Sequence, residues 1–168
     1  NVSHNRVVEL ATPLFSGMVD GDLPSVVPYD ASITGPPVVT DSRTIDQCTM
    51  YLGIPIFGRD DPDRFAIRIM NDVLGAGMSS RLFREVRERR GLVYSVYAYA
   101  PGYSDAGRFS MAAGCAPKKL PEVVRVMTAE FERMAVESVS DLELQRAVGQ
   151  MSGSGALALE DSDTRMSR

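Results

Sequence analysis

The 168-residue chain contains one histidine, His4, no tryptophan and two cysteines, Cys48 and Cys115. A lone imidazole cannot supply a histidine-rich metal site, and the three side chains match no zinc-ligand spacing, so no metal ligands are expected here. Both cysteines lie in strand-like sequence. They could pair, but the reading preferred here is two buried free thiols in a cytoplasmic protein. Lysine is as scarce: Lys118 and Lys119 are the only two, and arginine supplies every other cation. Such a skew is what a GC-rich bacterial coding sequence produces. No apolar run approaches the ~20 residues of a membrane span, and the first residues carry no basic segment followed by an apolar stretch, so no signal peptide is read. A net charge of −4 argues against nucleic acid as a partner. With no initiator methionine and no terminating motif before Arg168, the chain reads as a piece of a longer gene product, truncated at its C-terminus.

What is present is ordinary for a folded domain: 44% hydrophobic and 24% charged residues, in a length that suits one domain over 1–168. Val7, Val8, Leu10, Ala11, Leu14 and Phe15 give a helix one apolar face, with Asn1 or Ser3 as cap and Gly17 as its end. Residues 16–37 are rich in Gly, Pro, Asp and Ser and read as a long connector. From Val38 to Phe57 the pattern is strand-like. Asp60-Asp61-Pro62 then opens a helix whose buried face is Phe65, Ile69 and Val73, flanked by Ile67, Met70 and Leu74. A second helix runs from about Ser79 to Arg90.

Two strands, 92–100 and 107–116, form a hairpin around Pro101–Asp105. Pro121 starts a helix with Val124, Met127, Phe131 and Met134 towards the core, and Ser140-x-x-Glu143 is a capping box for another. Beyond Met151 the Ser-Gly-Ser-Gly stretch weakens the helical pattern. This order predicts an α+β domain: an antiparallel sheet covered on one face by helices, in two layers.

The junction between the second helix and its strand carries the most chemistry. Leu82, Phe83 and Val86 form a packing stripe. Glu85 precedes Arg89, and Arg84 precedes Glu88, by four residues, the spacing of ion pairs on a solvent face. Arg87 lies about 40° from Phe83, at the stripe's border. Gly91 suits a left-handed C-cap, and Tyr94 follows on the face of Leu92, Val96 and Ala98. Arg87 and Tyr94 would then offer two donors to a carbonyl or oxyanion. Composition alone also allows a plain reading, an arginine at a helix end and a tyrosine in a strand. Gly75-x-Gly77-x-x-Ser80 is no dinucleotide loop, since it follows a helix and lacks the third glycine.

The segment Leu74-Gly75-x-Gly77-x-Ser79-Ser80-Arg81-Leu82-Phe83, then Val86-Arg87-Glu88 and Gly91-Leu92-x-Tyr94-Ser95-Val96, resembles the C-terminal-half signature of the pitrilysin and mitochondrial-processing-peptidase family. These are inverzincin zinc proteases, with H-x-x-E-H in a separate N-terminal domain. The resemblance covers most of the chain. It implies the non-zinc, substrate-binding half of a bacterial zinc endopeptidase. Arg87 and Tyr94 would bind peptide and stabilise the tetrahedral intermediate, and the Gly75, Gly77, Ser79 and Ser80 loop would border the substrate chamber.

Zinc and general base would come from the H-x-x-E-H domain or subunit, and the full-length protein would be a dimer acting on peptides. Alone the chain would be inactive and hold no cofactor. Two alternatives stay open: a zinc-less peptide-binding or scaffolding subunit, and an α+β domain without chemistry, in which Tyr94 is buried and far from Arg87.

Overall fold

In the computed structural model the described residues are 2–22, 25, 27–28 and 46–167. The first part, 38–45, of the strand-like stretch expected over 38–57, and most of the connector before it, lie outside them. The chain divides into two compact units, residues 1–30 and 31–168, where the sequence offered no internal boundary. The first unit is helix α1, His4–Phe15, with Ser3 as N-cap and Pro13 in its last turn.

The second unit holds strands β1 (Cys48–Ile56), β2 (Val93–Tyr99) and β3 (Gly107–Cys115) in one antiparallel sheet of order β1-β3-β2. Helices α2 (Arg64–Gly75), α3 (Leu120–Val136), α4 (Asp141–Glu160) and α5 (Ser162–Met166) follow the same chain order, with a π-helical segment at Phe83–Glu88 between α2 and β2. The expected β2–β3 hairpin forms, and β1 pairs with the far side of β3 from Cys48 opposite Cys115 to Ile56 opposite Gly107.

One sheet face is the core. Val93, Val96 and Ala98 of β2 and Phe109, Met111, Ala113 and Cys115 of β3 bury against Leu74, Leu82, Val86, Val123, Val126 and Met127. The α+β sheet with helices on one face therefore stands. The opposite face is closed differently: Ser110 and Ala112 of the central strand are buried, although Tyr51 and Tyr97, which flank Ala112, remain exposed. Small residues in β3 let the tyrosines of the outer strands lie over them.

Three helix expectations change in detail. On α2 Phe65, expected inside, is exposed, while Leu74, expected on the flank, is fully buried. The Arg64 guanidinium carbon lies 4.5 Å from the Phe65 ring centre, a cation–π contact on a ring that stays largely open to solvent. On α3 the core side is Val123 and Val126 in place of Val124, a rotation of about one residue. Helix α4 continues to Glu160 through Gly149, Gly153 and Gly155, each of which costs roughly 1 kcal/mol against alanine. Its N-terminus is firmly seated: Ser140 accepts from the Glu143 N–H, and Glu143 Oε2 accepts from the Ser140 N–H at 3.0 Å.

Candidate functional site

The helix that follows Gly75 and Gly77 is not regular. Its Phe83–Glu88 segment is π-helical, with the Arg89 N–H donating to Arg84 O at 2.9 Å, five residues back. Such widened turns are rare and concentrate at functional positions. The segment ends where Gly91, at φ +57°, takes the left-handed cap position. Gly91 N–H donates to Arg87 O at 3.1 Å and Leu92 N–H to Val86 O at 3.0 Å, closing the last carbonyls. Lys119 Nζ, from the turn before α3, donates to Gly91 O at 2.7 Å and fixes the reversal from outside.

Immediately afterwards β2 contains an irregularity. Val93 pairs with Cys115 and Ser95 with Gly114, so Tyr94 is an extra residue with no partner in the ladder. A bulge of this kind re-aims one side chain and shifts the alternation beyond it. Val93, Val96 and Ala98 are therefore buried, while Tyr94 stands 65% exposed. This corrects the expectation that Tyr94 shares a face with Leu92, Val96 and Ala98. It also removes the reading in which Tyr94 is simply a buried strand tyrosine.

Arg87 is exposed, with its guanidinium carbon 5.1 Å from the Phe83 ring centre. Stacking on the ring restrains the cation without using its N–H donors. Neither Arg87 nor Tyr94 forms a hydrogen bond or ion pair through its side chain with a described residue, and none joins the two. Among the described residues both donor groups are thus left open.

The other predicted loop residues divide. A Cβ on Gly75 would lie 2.3 Å from Ala98 N and 2.4 Å from Ala98 Cβ, so this glycine is required by the close approach of α2 to β2. Ser80 is buried; its hydroxyl donates to Gly77 O at 2.7 Å and accepts from the Phe83 N–H at 3.4 Å, capping the helix. Gly77, at φ +89°, and Ser79 are exposed.

Charges behind the site are arranged differently from the solvent-face ladder read in the sequence. Glu85 is buried, and its carboxylate binds Arg89 and also Arg90, the latter at 2.7 Å. Burial alone would raise its pKa, but Arg90 and Arg89 outweigh burial and hold it lowered. No ion pair joins Arg84 to Glu88 among the described residues. Arg81 was not singled out in the sequence. It is buried and grips Glu143 of α4 with two hydrogen bonds, Nε to Oε1 at 2.7 Å and one terminal nitrogen to Oε2 at 3.0 Å. The pair is 62 residues apart in sequence, so no local pattern announces it.

A cleft of about 670 Å³ lies elsewhere, between the ends of β1 and β2 and helices α2 and α4, and neither Arg87 nor Tyr94 lines it. No group of three His, Cys, Asp or Glu side chains suited to a metal occurs among the described residues. With His4 the only histidine, the chain's own residues do not fit a catalytic zinc. Among the described residues no helix is long and apolar enough to cross a membrane.

Comparison with known proteins places these features in context. Residues 1–151 match the family described as the peptidase M16 inactive domain. An uncharacterised zinc protease of Streptomyces coelicolor is 39% identical over all of this chain and 38% of its own length. One from Bacillus subtilis is 32% identical over 77% of this chain and 32% of its own length. The chain therefore spans only about two-fifths of such relatives. Among solved structures, a peptidase M16 inactive domain from Pseudomonas fluorescens is 29% identical, with a TM-score of 0.62 over 66% of this chain and 27% of that one. A Helicobacter pylori protease shares the fold at a TM-score of 0.78, over 99% of this chain and 41% of that one, at 19% identity.

Proposed function

The chain belongs to the family of peptidase M16 inactive domains, and we propose that it is the substrate-binding half of a zinc-dependent endopeptidase. In this reading the zinc, the activated water and the general base belong to an H-x-x-E-H domain or subunit elsewhere in the assembly. The names of the relatives, which are zinc proteases longer than this chain, support it.

Arg87 and Tyr94 form the wall opposite the metal. The guanidinium and the phenol donate to the scissile carbonyl as negative charge develops on its oxygen, where preorganised donors contribute most. The observation that carries this role is the combination of bulge and exposure. A side chain that packing alone would bury is turned outward, and its hydroxyl bonds to no described residue. Gly77 and Ser79, exposed at the head of the same helix, border the peptide, while Gly75 and Ser80 hold the loop in shape.

The test is Tyr94→Phe in the full-length parent enzyme, assayed on a quenched fluorescent peptide. Loss of an oxyanion donor lowers kcat roughly 10²–10³-fold with zinc content unchanged. Wild-type turnover in a folded, zinc-loaded variant would remove Tyr94 from the mechanism and leave a scaffolding role for this half.

A further inference from the structure

Cys48 and Cys115 are the only cysteines of the chain, and both are free. Far apart in sequence, they are direct Cα partners across β1 and β3. Opposed residues in an antiparallel ladder project to the same face, and the core confirms this: Cys115 is fully buried in it and Cys48 packs against it, half-buried. Opposed Cα atoms sit about 4.5 or about 5.5 Å apart, depending on the kind of pair. A disulfide accepts Cα separations of roughly 4.4–6.8 Å, a range that includes both kinds of pair. We propose that Cys48 and Cys115 form a thiol modification site, a cross-strand disulfide made by exchange with a low-molecular-weight disulfide.

The steps balance. Cys48, the more accessible thiol, attacks as thiolate and gives a mixed disulfide, expelling one small thiolate that takes up a proton. Cys115 then loses its proton and attacks the Cys48 sulfur, expelling the second small thiolate. Two protein thiols are oxidised and one small disulfide is reduced to two thiols. Burial raises the Cys115 pKa and Cys48 adds to the rise, against a smaller lowering by Lys119, which keeps this thiol more protonated.

The closed loop spans 115 − 48 = 67 positions. It contains α2, the π-helical segment, Arg87 and Tyr94, and Cys115 pairs on its other side with Val93, next to the bulge. Oxidation therefore staples the segment that presents the Arg87 and Tyr94 wall. The site itself stands independently of the peptidase reading, since its test counts thiols and not turnover.

The folded chain is equilibrated with glutathione disulfide, alkylated and mapped by mass spectrometry. The expected result is a monomer with a Cys48–Cys115 linked peptide, no alkylated cysteine, a raised Tm, and both thiols restored by dithiothreitol. In Cys48→Ser, whose substitution touches only the half-buried partner, Cys115 stays a free thiol. The proposal is overturned if the folded wild type keeps both thiols, if it stops at a glutathione adduct on Cys48, or if it forms only bonds between chains.

Discussion

Replacing Glu143 with glutamine isolates the charge that ties the junction helix to α4. The Glu143 carboxyl is held at about 2 in place of 4.5, first by its hydrogen bond from Arg81, against burial, and further by the Ser140 backbone and hydroxyl. That shift corresponds to about 3 kcal/mol of stability at neutral pH. The Glu143 side chain is 24% exposed while Arg81 is only 7% exposed, so solvent screening brings the expected value to about 2 kcal/mol. Glutamine keeps one oxygen for the cap and for one Arg81 bond, while its NH2 faces the other Arg81 donor, so the variant loses the charge and one of the two Arg81 hydrogen bonds.

Because the folded pKa lies below the unfolded one, the stabilisation is complete well above pH 4.5. It declines as pH falls below that value and is gone once pH passes through about 2. Urea unfolding of wild type and Glu143→Gln is measured from pH 7 to pH 3. A gap of about 2 kcal/mol at pH 7 that shrinks by about half at pH 3 is the expected result. A gap constant across the range, or absent at pH 7, would refute the idea that the Arg81–Glu143 charge pair anchors α4.

Two further measurements probe other joints. Gly75→Ala forces a Cβ into the Ala98 backbone at 2.3 Å; a destabilisation of about 1–3 kcal/mol or more is expected from overpacking, and chemical denaturation that shows no loss would contradict the close α2–β2 contact. Tyr97 has its pKa raised above 10.0, first by the hydrogen bond with Tyr51 across the open sheet face. Ultraviolet titration should therefore show one tyrosine ionising late, and Tyr51→Phe should bring it down. An unchanged curve would mean that the two phenols do not meet over Ala112.

Local rules carry the element order well. The capping box at Ser140, the glycine cap at Gly91, the hairpin between β2 and β3 and the apolar stripe of Leu82 and Val86 all depend on neighbours within a few residues, and all are legible. Faces within helices are less so. Phe65 lies outward beside the Arg64 guanidinium, and Glu85 lies inward where Arg89 and Arg90 meet it. Hydrophobic periodicity knows nothing of either partner.

The sequence alone established an α+β chain without the histidines for a zinc centre, and it singled out Arg87 and Tyr94 as the residues to watch. Only the tertiary structure decided how Tyr94 is presented. The outward turn comes from a bulge set by the pairing of β2 with β3, and that register depends on a strand beginning 14 positions later in the chain (107 − 93). The same is true of Cys48 and Cys115 and of Arg81 and Glu143, whose proximity arises from sheet pairing and helix docking across more than sixty residues. Spacing rules reach one helical turn or one hairpin, and these contacts lie beyond both.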